Sequence, residues 1–363
     1  MKYFAFILSA SILLSFGITG CSSVEISDCG LSTIDFAKQI KVGWSLGNTL
    51  DATGADEDDD DVTVKDFETS WGNPETTEEM ILKLKEAGFN AIRVPVSWHQ
   101  HLGDAPDYTI DSAWMDRVEE IVNYAYKNDF FVILNMHHED TWLIPDGKHT
   151  EDNITELTAI WTQIAKRFKN YNQNLIFEGF NEPRTVGSQR EWMGGTEDER
   201  KIINQYNAEF IKTVRSCGGY NEIRYLMIPT YGANFKQAAI TELEIPDDER
   251  IIVSVHAYIP EGVSTNGKTF EEVSKKSINN LCKSLKETFL DKGTAVIIGE
   301  MGSTNKALPE ERAECFDYYI STANSYGIPC FIWDNGTDFS ILDRKNIEWR
   351  YDVIIDAIKN AIK

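Results

Sequence analysis

Eight short runs of apolar and β-favouring residues recur along this chain, each followed by a loop and a stretch with helical periodicity. The runs lie at about 42–47, 89–96, 130–136, 175–181, 223–229, 251–257, 295–299 and 328–333. Helical patterns fall between them at about 76–87, 112–127, 153–169, 199–216, 234–242, 270–290 and 309–326, with a last one at about 347–362. Runs such as Phe130-Phe131-Val132-Ile133-Leu134 are apolar throughout, which suits parallel strands buried on both faces. The first helix illustrates the pattern: Thr76 stands as its cap, Glu79 as the capping-box partner, and Met80, Ile81, Leu84 and Ala87 share one face. Eight strands alternating with eight helices predict an α/β fold, a single closed (β/α)8 TIM barrel over residues 35–363. The competing arrangement is an open doubly wound sheet. It would require a glycine-rich phosphate turn after an early strand, and no such turn is present. No internal repeat or second domain is visible.

A barrel collects its chemistry at the C-terminal ends of its strands, where the βα loops converge. The polar and aromatic residues of this chain fall there. The first strand ends in Asn48, and the second carries Arg93 and leads to Trp98. The third ends in Asn135, His137 and His138, and the fourth in Asn181 and Glu182 before Pro183. The sixth offers His256 and Tyr258, the seventh Glu300, and the eighth Trp333. Pro183 has no N–H to give a sheet, so the fourth strand must stop before it. Two buried-type strands therefore each place a glutamate at a strand end. That pairing is what glycoside hydrolysis needs: one carboxyl protonates the departing oxygen while the other attacks, or backs up, the anomeric carbon. Arg93 also reads as one half of a buried structural ion pair.

Charge narrows the partners. A formal net charge of −23 argues against nucleic acid, which needs clustered Lys and Arg, and is compatible with a neutral polymer. A hydrophobic content of 42% is enough for a large core. The first 20 residues read as a signal segment: Lys2, then an apolar run from Tyr3 to Phe16, then Ile18-Thr19-Gly20-Cys21. The cysteine at that boundary resembles a bacterial lipoprotein signal, which implies secretion and a lipidated Cys21 anchoring the protein at the cell surface or outer membrane. Ordinary secretion and an uncleaved anchor are the alternatives. Residues 21–34 are expected to act as a tether. Cys29, Cys217, Cys282, Cys315 and Cys330 form no metal-binding pattern and are expected mostly as small buried hydrophobes. The acidic run Ala55-Asp56-Glu57-Asp58-Asp59-Asp60-Asp61 lacks the spaced ligands and glycine of a calcium loop and reads as a solvated loop.

Several motifs in barrel order carry a family resemblance. These are Gly43-Trp44-Ser45-Leu46-Gly47-Asn48-Thr49-Leu50-Asp51, Ile92-Arg93-Val94-Pro95-Val96-Ser97-Trp98 and Asn135-Met136-His137-His138, followed by Phe180-Asn181-Glu182-Pro183, His256-Ala257-Tyr258 and Gly299-Glu300. Over about Lys41 to Trp333 the chain resembles glycoside hydrolase family 5. The opening motif and Ser70-Trp71-Gly72-Asn73-Pro74 resemble its endo-β-1,4-glucanase subfamily, which includes cellulases, lichenases and xyloglucanases. The resemblance implies a retaining hydrolase with Glu182 as acid/base and Glu300 as nucleophile. In such enzymes the carboxyls sit about 5–5.5 Å apart. One pKa must then rise, and the family pattern assigns that to Glu182. Arg93 and Tyr258 are expected to keep Glu300 charged. Asn181 is expected to bind the sugar 2-OH, His137 the glycone, and His256 one of the carboxyls. Trp333 is expected to stack on a sugar ring, with His138 a structural neighbour. Trp98 and Trp142 stand as further subsites or as core, and Trp192 in Trp192-Met193-Gly194-Gly195 as a cleft-lining residue. No cofactor and no metal are implied, and a monomer is expected. The implied partner is a β-glucan. No appended carbohydrate-binding module is seen, which tilts the expectation toward soluble β-glucans and xyloglucan. A β-mannanase or exo-acting glucosidase of the same family, and a non-catalytic glycan-binding lipoprotein, are the rivals.

Overall fold

The structure is a computed structural model describing residues 26, 28–55 and 62–363. The signal segment, Cys21 and the acidic residues 56–61 lie outside them. Eight parallel strands close into a barrel, each bonded to the next and the last back to the first. They are β1 (Gly43–Leu46), β2 (Ala91–Val94), β3 (Phe131–Asn135), β4 (Leu175–Glu178), β5 (Leu226–Pro229), β6 (Ile251–His256), β7 (Ala295–Met301) and β8 (Cys330–Asp334).

A short helix, α1 (Thr33–Ala37), precedes β1, and α2 (Val64–Thr69) lies in the loop after it. The main outer helices are α3 (Glu78–Glu86), α4 (Ser112–Tyr126), α5 (Thr150–Arg167) and α6 (Glu197–Ser216). After β5 come α7 (Gln237–Thr241), α8 (Glu261–Ser264), α9 (Glu272–Thr288), α10 (Pro309–Tyr326) and α11 (Asp352–Ala361). A two-stranded ribbon of β9 (Leu342–Asp343) and β10 (Glu348–Trp349) folds over the loop that follows β8.

The pleat decides which residues the barrel encloses, because alternate side chains point to opposite faces. Ala91, Ile133, Ile176, Met227, Ile252, Ala295, Ile297 and Phe331 form an inner apolar cluster. Their intervening neighbours, such as Ile92, Val132, Phe177 and Val253, join the larger core between sheet and helices. Two positions beyond the inner layer on the same faces come Arg93 on β2, Asn135 on β3, Glu178 on β4, Ser254 on β6 and Trp333 on β8. The sequence parity therefore sets a polar layer on top of an apolar floor.

The floor is closed from below by α1. Phe36 and Ala37 belong to the inner cluster, and the Phe36 ring stacks on Tyr225 at 3.7 Å. Residues placed in the tether also contribute: the Leu31 carbonyl accepts from the Tyr225 hydroxyl at 2.7 Å, and Asp28 pairs with Arg250 at 2.5 Å. The chain is thus seated against the barrel from Asp28 onward, and α1 begins inside the segment read as tether.

Local differences from the sequence reading have simple causes. The cap of α3 is Thr77, and Thr76 is buried with its N–H donating to Glu68 at 2.6 Å. Strand β4 leaves the ladder at Glu178, so Asn181 and Glu182 sit in the loop beyond it. All five described cysteines are free; Cys282, Cys315 and Cys330 are buried, Cys217 half-buried and Cys29 exposed.

Candidate active site

Arg93 is fully buried at the centre of the upper layer. Its Nε donates to Glu178 at 2.7 Å, one Nη to Glu300 at 2.8 Å and the other to Asn181 at 2.8 Å. A planar guanidinium holds its acceptors in one fixed plane, whereas the donors of a lysine ammonium rotate. Glu178 in turn accepts from Asn135 at 3.1 Å and from the Ser254 hydroxyl at 2.6 Å. Sequence reading missed this third carboxyl because it stands inside the apolar run of β4. Its inward parity with Ile176 was the available signal.

Glu300 reaches the cleft through an irregularity. By parity with Ala295 and Ile297 it would point outward, but the register shifts between Val255 and His256 and between Ile298 and Met301. Such bulges re-aim side chains next to active sites. The shift pairs Glu300 with His256 and leaves Gly299 facing the imidazole, where a Cβ would lie 3.0 Å from His256 Nε2. Tyr258 donates to Glu300 at 2.6 Å. Glu300 thus accepts from a guanidinium on one oxygen and from a phenol on the other.

Glu182 has different company. Its Oε1 lies 2.8 Å from His256 Nδ1, and the same nitrogen is 3.7 Å from Glu300. One ligand atom from each of Glu182, His256 and Glu300 falls within 4.8 Å of the others. The two carboxyls are therefore close neighbours, on the near side of the ~6.5–9.5 Å that leaves room for an intervening water.

The expectation of a raised Glu182 pKa is corrected here. Burial alone pushes its carboxyl up, but the hydrogen bond and charge of His256, with Arg184 and Arg93, outweigh burial and hold it below the usual value. Burial also opposes a charged His256, yet Glu300 and Glu182 raise that imidazole above its ordinary value. The two shifts run in opposite directions across one 2.8 Å contact between Glu182 and His256.

His137 and His138, in the loop after β3, are arranged around Asp51. Asn135 Oδ1 accepts from the Val96 N–H, so its Nδ2 is the donor to His137 Nδ1 at 3.1 Å. His137 therefore carries its hydrogen on Nε2, which faces Asp51 at 3.9 Å, with His138 Nε2 at 3.7 Å from the same oxygen. Burial, and then the charges of His138, Arg93, His256 and Arg184, push the His137 value well down, so it is neutral. A hydrogen on Nε2 points at the centre of this group and opposes a metal there. In the Glu182–His256–Glu300 group the facing nitrogen is already engaged by Glu182.

Trp333 is stacked parallel to His137 at 5.5 Å and lies so close to Gly47 that a Cβ there would meet its ring at 2.5 Å. Asn48 has a left-handed backbone (φ 56°) at the tip of β1, and its N–H donates to Asp51. Trp98 is core, its indole N–H bound to the Asn135 carbonyl. Trp142 is half-buried and tied to Glu139 at 2.6 Å, stacked beside His99. A cleft of about 440 Å³ beside His138 is lined by Trp71, Ser97, His99 and Asp140. The exposed Trp71 was legible only as part of Ser70-Trp71-Gly72-Asn73-Pro74.

A parallel barrel with two neighbouring carboxyls, one on strand seven bonded to a guanidinium and one in the loop after strand four bonded to an imidazole, has the make-up of a barrel glycoside hydrolase. Residues 55–339 match the family model for cellulase, glycosyl hydrolase family 5. The chain is 43% identical over 350 residues to endoglucanase A of Ruminococcus albus, covering 93% of this chain and 94% of that one. It is 40% identical to the cellulase/esterase CelE of Acetivibrio thermocellus over 97% of its own length, but spans only 44% of that longer protein. A broad specificity endoglucanase from Ruminococcus champanellensis, solved with bound cellotriose, superposes with a TM-score of 0.88 at 41% identity, over 93% of this chain and all of that one. The chain belongs to glycosyl hydrolase family 5, in its endoglucanase-like subfamily, and is a glycoside hydrolase of the cellulase type.

Glu178 offers a direct test of how the site is held. Glu178→Ala leaves the buried Arg93 charge with one carboxylate fewer, which should cost about 3–5 kcal/mol in urea unfolding. Glu178→Gln, which keeps the shape, should cost clearly less. Equal losses for the two variants would mean the charge of Glu178 is not what matters.

Proposed function

We propose that this family 5 endo-β-1,4-glucanase cleaves β-1,4-glucosidic bonds by double displacement, with Glu300 as nucleophile and Glu182 as acid/base. The observation that carries the assignment is the unequal company of the two carboxyls. Glu300 takes a guanidinium and a phenol, two donors that orient its carboxyl for attack. Glu182 takes the imidazole that stores the proton. When Glu300 bonds to the anomeric carbon its charge is consumed, and with it one of the two charges that hold the proton on His256. The proton then passes through Glu182 to the departing oxygen. In the second half, Glu182 removes a proton from water, which attacks the glycosyl ester and frees Glu300 with retained configuration.

Asn181, oriented by Arg93, is placed to meet the sugar 2-OH, and the Nε2–H of His137 a further hydroxyl, with Trp333 as the stacking face. Mixed-linkage glucan and xyloglucan join cellulose-type chains as substrates, a reading supported by the broad specificity of the structural relative. The chemistry asks for no cofactor, and the protein acts as a monomer.

Reducing-sugar release would be followed on carboxymethyl-cellulose, mixed-linkage β-glucan, xyloglucan, xylan and galactomannan. Cleavage of at least one β-1,4-glucan is expected, with kcat falling at least about a thousandfold in Glu182→Ala and in Glu300→Ala. The first product seen by NMR should be the β-anomer. Cleavage of galactomannan alone would overturn the substrate, and an α-anomer the mechanism.

The proton store predicts the pH profile. Activity needs the shared proton, which leaves as pH rises through the elevated His256 value. The alkaline limb of kcat/KM should therefore fall above ~6.5, the ordinary imidazole pKa. A midpoint below that would place the proton elsewhere.

The same reading extends to the address: secretion, with a lipid on Cys21 at the cell surface or outer membrane. Radiolabelled palmitate should enter the wild-type chain and not Cys21→Ala. Equal labelling of both would reject the anchor.

A further inference from the structure

Glu139 stands in the loop after β3, just beyond His137 and His138, and is buried with both carboxyl oxygens taken. Oε1 accepts the backbone N–H of Trp98, in the loop after β2, at 2.7 Å. Oε2 accepts the indole N–H of Trp142, further along its own loop, at 2.6 Å. The Glu139 carbonyl accepts from Leu143 at 2.9 Å, which closes the turn that brings Trp142 round to the carboxyl. Trp142 in turn stacks beside His99, and His99 is bonded to Glu156 on α5 at 2.6 Å. The two loops joined in this way are the walls of the cleft of about 440 Å³ beside His138. Ser97, His99 and Gln100 come from the first loop, and His138, Asp140 and Thr141 from the second. One buried side chain therefore ties the two walls together, and it does so from beneath the cleft rather than from within it.

An ionised carboxylate accepts on both oxygens and donates on neither, which is what two facing N–H groups require. A proton on Glu139 would turn two charge-assisted bonds into neutral ones of roughly half the strength. It would also add an O–H that needs an acceptor of its own in a buried site. Burial lifts the carboxyl to about 7, against the Trp98 and Trp142 bonds and the charge of His99, which favour the anion. The charged and titratable groups around it come from three loops and α5. They are His99 with Glu156, then His137, His138 and Asp140 on its own loop. Across a small gap, Glu182 comes from the loop after β4, with Arg184 bonded to Asp140 at 3.1 Å. We propose that Glu139 is a positioning residue: as a carboxylate it clamps the loops after β2 and β3 around the bound β-glucan, and on taking a proton it lets them part. The clamp is whole at higher pH and opens as pH falls, so substrate binding weakens in acid before the chemistry does. This rests on the proposed glucanase reading, in which the cleft beside His138 receives the chain.

Two measurements test the clamp, one of them independent of turnover. The indole N–H signal of Trp142, assigned with Trp142→Phe, would be followed by NMR in 15N-tryptophan-labelled protein across a pH titration. It should move with a midpoint near that of the Glu139 carboxyl in the wild type and stay fixed in Glu139→Gln, whose amide offers one acceptor only. A signal that stays fixed in the wild type, or moves alike in both chains, would overturn the clamp. In the second measurement, KM for cellopentaose is compared between the two chains. Well above the titration midpoint KM should be about 5- to 10-fold higher in Glu139→Gln, with kcat little changed. Well below it the two KM values should converge, because the wild-type clamp has opened too. A ratio that is constant with pH would make Glu139 a structural tie alone and reject its release by a proton. Failure of the wild type to cleave cellopentaose would overturn the glucanase reading, and the indole titration would still decide the clamp.

Discussion

The Arg93 guanidinium is the fixed point of this molecule's chemistry. It has no access to water, so its charge must be met inside the protein. Glu178 and Glu300 supply two carboxylates and Asn181 an amide oxygen. Those three groups come from β4, β7 and the loop after β4, so one side chain sets the positions of elements far apart in the chain. Removing any acceptor leaves a buried charge less than balanced. The same cost that makes the pair expensive to build makes its geometry hard to disturb, and that rigidity serves a reaction sensitive to small displacements.

Much of this was legible before any coordinates. The eight barrel strands, the eight helices that alternate with them and the identity of the polar strand ends follow from apolar runs and their spacing, whereas α1, α2, α8 and the β9–β10 ribbon did not show in that pattern. Arg93 beside Glu300 and Tyr258 also followed from the family pattern. What escaped depends on geometry that one-dimensional patterns do not carry. Glu178 was hidden because a single carboxyl in an apolar run looks like an interruption, and only two-residue parity turns it inward. Glu300 was found by its motif, yet parity alone points it the wrong way. The bulge opposite His256 is what brings it into the cleft.

The Glu182 proton is the sharper lesson. Two close carboxylates suggest that one must be protonated, and that inference is sound for an isolated pair. Here an imidazole sits 2.8 Å from one and 3.7 Å from the other, and the nearer contact lowers the Glu182 value while it raises that of His256. Such coupled groups titrate together, and their apparent pKa values belong to the set rather than to one carboxyl.

The two sides of the cleft are held by the same physical device. Beside Trp333, Arg344 on the ribbon strap donates to the Gly47 carbonyl and the Thr49 hydroxyl, both at 2.9 Å, and also binds Asp334 at the end of β8. Its guanidinium lies over Trp44 at 4.9 Å, and Trp44 donates to Asp334 in turn. This seam between β1 and β8 fixes Gly47, and Gly47 leaves the space Trp333 occupies. On the other side Arg184 joins Asp140, Glu191 and the Glu182 backbone and lies beneath Trp192. In each case a cation binds backbone carbonyls and carboxylates of separate loops and leans on an aromatic ring. Loops are the mobile part of a barrel, and crosslinking them through arginines lets aromatic faces stand in the cleft without a partner of their own. A polymer whose rings are flat on both faces and neutral in charge meets such a cleft with little rearrangement, which is why the heavily acidic surface of this chain does not oppose its binding.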